Sequence, residues 1–156
     1  MTKLGYAINT EGEVALSAAA AKTVLGVRAS SSVPLDLKGI EVDFDGVTAA
    51  NEPVLVELAT CTFATNGIGT NSTAIAETQI YGRITTADFA AAKNWTTEPT
   101  VITVFWPFAL DPNKGLFDFD WPLGETPDCA ANEGFVLRLT APQTVSCRAR
   151  MRLEHA

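Results

Sequence analysis

Apolar and polar residues alternate one by one along most of the chain from Lys22 onward, and long helical periodicity is nearly absent. The clearest run is Leu116–Trp121, where Phe117, Phe119 and Trp121 alternate with Asp118 and Asp120; it predicts a half-buried strand. Thr144–Glu154 repeats the pattern at greater length. Val145, Cys147, Ala149, Met151 and Leu153 share one face, and Ser146, Arg148, Arg150, Arg152 and Glu154 the other. Leu35–Asp45 also alternates, but its phase slips by one residue at Lys38-Gly39, with Leu35 and Leu37 before the slip and Ile40, Val42 and Phe44 after it. A glycine at such a slip predicts a β-bulge, and Gly46 predicts a turn. Pro53–Phe63 is apolar on both faces, as in a strand covered from both sides.

Lys22–Ala29, residues 77–84, Thr100–Phe105 and Phe135–Leu139 bring the strands to eight, spread over about 130 residues without crossover helices. Residues 64–76 predict a loop, and Asp88–Ala92 a single helical turn capped by Asp88. The expected fold is all-β: an eight-stranded, jelly-roll-like antiparallel sandwich over residues 22–156. An immunoglobulin-like sandwich is the rival, but its Cys–Trp–Cys pattern is missing. Residues 1–21 predict an extended N-terminal arm. They carry few large apolar residues, a turn signal at Asn9–Gly12 and an alanine run, Ala18–Ala21, too short to hold a helix alone.

Composition narrows the functions. The chain has 156 residues, 47% of them hydrophobic and 19% charged, which is ample for a packed core. Its net charge of -7 argues against a general nucleic-acid binder, which must neutralise phosphates, and against docking on an anionic membrane. No apolar stretch approaches the ~18 residues of a membrane span, and the first residues lack the apolar core of a secretory signal, so secretion is not expected. Cys61, Cys129 and Cys147 do not have zinc-site spacing and read as reduced thiols, with a Cys129–Cys147 bridge as the exception to test.

Catalytic patterns are weak. The single histidine, His155, is next to the last residue and reads as a solvated tail group, which leaves no positioned base for a Ser or Cys nucleophile. The pairs Asp43/Asp45 and Asp118/Asp120 could serve as acid and base or as part of a hard-cation site, but strand alternation already accounts for them as a solvated face. Gly67-Ile68-Gly69 lacks the lysine of a phosphate-binding loop. No catalytic residue, metal ligand or cofactor is therefore assigned, and an enzyme is not expected.

Partner-contact candidates are clearer. Arg148, Arg150 and Arg152 form a basic stripe, suited either to guarding an edge strand or to docking an acidic neighbour. Of the tryptophans, Trp95 sits in a loop while Trp106 and Trp121 sit at strand ends, so Trp95 is the better exposed-contact candidate. Tyr6 is the contact candidate on the arm.

Several segments, in order, carry a resemblance: residues 20–27 (AAKTVLGV), 35–46 (LDLKGIEVDFDG), 52–58 (EPVLVEL), 114–124 (KGLFDFDWPLG) and 135–142 (FVLRLTAP). Together they resemble a family of small tailed-phage proteins found beside head genes, similar in character to capsid decoration (cement) proteins. The resemblance implies a virion structural role on the outer capsid surface, with host cytoplasm as the site of assembly. The implied partner is the major capsid protein and the implied state a homotrimer, with no nucleic acid, membrane or small-molecule substrate. A carbohydrate- or receptor-binding module of a tail or head fibre is the alternative.

Overall fold

The computed structural model describes residues 4–45 and 52–156, and every regular element among them is a β-strand. The expected Gly46 turn lies outside the described residues. In chain order the strands are β1 (Gly5–Asn9), β2 (Val14–Leu16), β3 (Ala21–Ala29), β4 (Leu35–Asp45), β5 (Val54–Cys61), β6 (Thr73–Ile75), β7 (Thr78–Tyr81), β8 (Phe89–Lys93), β9 (Ile102–Leu110), β10 (Phe117–Asp120), β11 (Asp128–Cys129), β12 (Gly134–Thr140) and β13 (Val145–His155).

Two antiparallel sheets pack as a sandwich. The first runs β10-β4-β13-β1-β7, with β2 beside β13 and β11 beside β4; the second runs β6-β8-β3-β12-β5-β9. Eight strands pair in a nested order, outermost with outermost: β1 with β13, β3 with β12, β4 with β10, and β5 with β9.

Alternation fixes which face turns inward. On β13 the residues Val145, Cys147, Ala149, Met151 and Leu153 are buried in the inter-sheet core, against Leu25, Val27, Val56, Leu58, Phe135 and Leu137 of the second sheet. Aromatic groups close the two open sides. Trp106 and Phe108 of β9 meet Phe117 and Phe119 of β10 and the neighbouring Trp121, with ring centroids 4.6–6.3 Å apart. On the other side Tyr6 of β1, Phe89 of β8 and His155 of β13 form a smaller group. Each aromatic side chain removes a large apolar area from water.

The expected bulge is present. Arg152 pairs with Gly39 and Leu153 with Leu37, so Lys38 is the extra residue, and the inward set passes from Leu35/Leu37 to Ile40/Val42 across it. A second bulge, in β9, was not anticipated. Leu58 pairs with Trp106 and Ala59 with Val104, leaving Phe105 over. It sends Ile102 and Val104 to the outer face of the second sheet and Trp106, Phe108 and Leu110 to the core.

Four expectations need correction. Residues 5–16 are not an arm: β1 and β2 pair with β13, and Tyr6, Ile8, Val14 and Leu16 are buried. The Asn9–Gly12 turn splits this stretch into halves too short to display a period. Asp88–Ala92 is not a helical turn; Phe89–Lys93 is hydrogen-bonded between β3 and β6, and pairing overrides the helical preference of its alanines. The strand expected over Thr100–Phe105 runs instead from Ile102 through Pro107 to Leu110, because β9 is an edge strand and has no further neighbour to miss the proline N–H. Residues 77–84 supply only the short edge strand β7, so the eighth member of the nested set is β1.

All three cysteines are buried and free. Cys129 pairs with Leu35 and Cys147 with Phe44, at opposite ends of β4, which puts them roughly 30 Å apart and out of reach of a disulfide. Burial pushes the Cys147 thiol up to about 12 and the Cys129 thiol up to about 11, so neither supplies a thiolate near neutral pH.

Candidate functional site

The outer face of the first sheet carries the arginine stripe, and its carboxylate partners lie on β4, on β10 and in the turn between β1 and β2. Arg150 Nη1 meets Glu41 at 2.9 Å, and Arg148 Nη2 meets Glu13 at 3.1 Å. Arg152 reaches farther. Its Nη2 lies 2.6 Å from Asp118 and 2.8 Å from Asp120, and its Nη1 lies 3.1 Å from Glu41. The aspartates are on β10, one strand beyond β4. Arg152 crosses β4 at its register partner Gly39, where no side chain blocks the way. A Cβ at Gly39 would collide with the Asp120 carboxylate and lie 2.6 Å from Arg152 Nη2. Asp118 stands directly opposite Glu41, an unfavourable pairing that the guanidinium between them offsets.

A second crossing lies on the far side of β13. The ring of Tyr81, on β7, covers Gly5 of β1, and its hydroxyl donates to Glu154 of β13. Glu154 is buried and also faces Lys38 Nζ at 3.8 Å. Desolvation of the hydroxyl, with the Glu154 carboxylate beside it, pushes the Tyr81 phenol up to about 12.

Between the two crossings lies a groove of about 260 Å³, lined by Lys38, Ile80, Tyr81, Asp120, Trp121, Arg152 and Leu153. It exists because side chains reach over glycines from both sides and leave the sheet face between them low. At the other end of the same face a wider depression, about 450 Å³, lies between the Asn9–Gly12 turn and Glu41, Asp43, Leu116, Arg148 and Arg150. Beside it Glu13 shares a hydrogen bond with Asp45, which raises the Glu13 carboxyl above its ordinary range.

The structure redistributes the sequence candidates. Arg148, Arg150 and Arg152 are together on one face as expected, but each is paired with a neighbouring carboxylate, so the stripe offers little uncompensated positive charge. Asp118 and Asp120 serve as ion-pair partners of Arg152. Tyr6 is 1% exposed and stacks 5.1 Å from His155, and is part of the sandwich wall. His155, expected as a solvated tail group, ends β13 with its ring centroid 5.1 Å from that of Tyr6 and 6.4 Å from that of Phe89.

Trp95 is also 1% exposed. It anchors a second apolar cluster on the outer face of the second sheet, with Ala59, Cys61, Phe63, Ala92 and Val136. Its indole N–H donates to the Asn66 carbonyl at 2.7 Å, and its backbone N–H to the Thr23 carbonyl at 3.0 Å. Glu98 holds the same segment down, accepting from the Thr23 N–H at 2.7 Å and the Thr23 hydroxyl at 2.6 Å. Segments 62–72 and 94–101 thus form a lid, which is why β5 is apolar on both faces. Among the tryptophans it is Trp121 that lines a groove.

Among the described residues no group of three or more His, Cys, Asp or Glu side chains converges in a way that could hold a metal ion. No family model, curated protein or solved structure matches the chain.

Proposed function

We propose that this chain is a virion structural protein that binds the outer surface of a phage capsid and stabilises it by bridging neighbouring capsid subunits. It acts as a homotrimer, with the major capsid protein as its partner. The observation that carries the reading is the nested pairing of β1 with β13, β3 with β12, β4 with β10 and β5 with β9. This is the pairing of an eight-stranded jelly roll, an architecture used for viral capsid and lectin domains. The step from architecture to virion is one of fold analogy, joined to the segment resemblance in the sequence.

Three features suit a protein that carries load. The strand nearest each chain end lies inside a sheet, β1 between β13 and β7, and β13 between β4 and β1. The arginine ladder ties edge strand β10 across β4 to β13. The lid over the second sheet gives that side a core of its own. Contact with a partner falls to the apolar side chains that project into water. Ile84 is fully exposed and Leu123 is 87% exposed, on the two segments that flank the smaller groove. Large aliphatic groups at such positions mark interaction sites when they cluster.

The test is a copy number. Virions are purified, dissociated, and this chain is quantified against the major capsid protein by mass spectrometry. A ratio near one copy per capsid subunit is expected. A handful of copies per particle would replace the reading with a fibre or tail component, and absence from the particle would overturn it.

A further inference from the structure

We propose that the groove between Tyr81 and Trp121 binds a neutral saccharide, one sugar ring at a time. This goes beyond the capsid role and does not depend on it.

The walls and the polar groups point to the same ligand. Tyr81 and Ile80 form one wall and Trp121 the other, so two rings and an aliphatic side chain face the space. Such surfaces suit the C–H face of a pyranose. Trp121 is held from behind by Trp106 and Phe119, and its backbone N–H donates to the Lys38 carbonyl at 3.0 Å, so the wall is fixed before a ligand arrives. At about 260 Å³ the groove falls below the ~300–1,000 Å³ of sites for drug-sized molecules, which suits a single ring.

Lys38 supplies the second observation. Its side chain is only 20% exposed, yet its ammonium lies 3.5 Å from Thr126 Oγ1 and 3.8 Å from Glu154 Oε2. Both are long for an N–H···O bond. An ammonium carries three donors, and two long contacts leave it able to donate to a further acceptor. A ligand hydroxyl in the groove can be that acceptor. Asp120, whose side chain is 65% exposed and which lines the same groove, is the acceptor for a second hydroxyl. A donor and an acceptor in one groove match a polyol, whose hydroxyls do both.

Charge decides for a neutral sugar over an acidic one. Lys38 and Arg152 are already matched by Glu154, Glu41, Asp118 and Asp120. A carboxylate or phosphate on the ligand would find no uncompensated cation and would lie against Asp120.

The experiment is a titration followed by two-dimensional NMR. The probes are glucose, galactose, mannose and N-acetylglucosamine, with glucuronate and a short neutral peptide for comparison. Saturable shifts at Lys38, Tyr81, Asp120 and the Trp121 indole are expected with at least one neutral sugar. Asp120→Asn should weaken binding about tenfold, the worth of one good hydrogen bond to a charged group, and Lys38→Met should abolish it. Should Lys38→Met fold poorly because the contact with Glu154 is lost, Asp120→Asn alone still decides. No neutral sugar shifting these residues, unchanged binding in Asp120→Asn, or tighter binding of glucuronate or the peptide would each overturn the proposal.

Discussion

Gly26 lies directly beneath the indole of Trp95: a Cβ built on Gly26 would stand 2.8 Å from Trp95 Cη2 and 3.3 Å from Val136 Cγ1. The glycine is in the middle of β3, paired to both β8 and β12, where it would otherwise only weaken a strand. Its absent side chain is what lets the lid close. Gly26→Ala is therefore expected to cost about 1–3 kcal/mol, the usual penalty for overpacking a filled site. Trp95→Ala should cost more, about 3–5 kcal/mol, by emptying the cluster. Urea unfolding measures both, and a Gly26→Ala midpoint equal to that of the parent would show the lid to be loose.

Gly39 plays the matching part on the other sheet. Gly39→Ala places a methyl group where Asp120 and Arg152 now meet, so the link from β13 to β10 should break while the paired backbone of β4 stays in register. Amide hydrogen exchange should rise in Phe117–Asp120 and little elsewhere. Asp118→Ala with Asp120→Ala should reproduce that pattern without touching the glycine. Uniform acceleration over the whole sheet would mean that the glycine matters for the backbone and not for the ladder.

How far the sequence could be read follows from the range of each interaction. The faces of β4, β10 and β13 and the bulge at Lys38-Gly39 were legible, because alternation is a local signal and one face of each strand meets the core. β1 was not, because its period is cut short by the Asn9–Gly12 turn and its worth comes from pairing with β13, over a hundred residues away. Trp95 illustrates a different failure. Its loop position suggested exposure, yet the loop folds back over Gly26. The apolar outer residues Ala59, Cys61 and Val136 were the available sign that something covers that face. The groove between Tyr81 and Trp121 depends on Gly5 and Gly39 standing where two long side chains cross, a coincidence of register that composition does not display.

The place of β1 reverses an expectation for truncation. Were residues 1–20 an arm, their removal would leave a folded domain that fails to bind a capsid. With Tyr6, Ile8, Val14 and Leu16 in the sandwich, their removal strips one side of β13 and opens the core. The truncated chain is expected to lose its cooperative thermal transition or to aggregate. A sharp transition within a few degrees of the parent would return these residues to the status of an appendage.

Point changes on the projecting residues are the proper probe of capsid contact. Ile84→Ser and Leu123→Ser alter side chains that lie in water and so should leave the unfolding midpoint within about 0.5 kcal/mol of the parent. If these segments meet the capsid, the double variant should bind particles at least tenfold more weakly in a co-sedimentation assay. Undiminished binding would move the contact elsewhere, the wider depression near Arg148 being next to test.

Acid should weaken the fold through His155. The ring is half-buried against Tyr6 and Phe89, and its Nε2 is buried without a hydrogen-bond partner. Burial lowers its pKa, and the charge of Asp88 opposes that only in part. The unfolded chain, with an ordinary histidine near 6.5, therefore takes up the proton first as the pH falls. Stability attached to this ring is complete above that value, declines through the folded-state pKa, and levels off beneath it. Carboxylates ordinarily titrate near 4, so the interval from about pH 7 to pH 5.5 isolates the effect. The urea midpoint of the parent should fall across that interval, and that of His155→Phe, which keeps an aromatic ring and has nothing to protonate, should stay nearly level. Equal slopes in the two proteins would assign the acid sensitivity to groups other than His155; Glu13 is not among them, because its carboxyl holds the proton more tightly in the folded chain and so favours the fold on acidification.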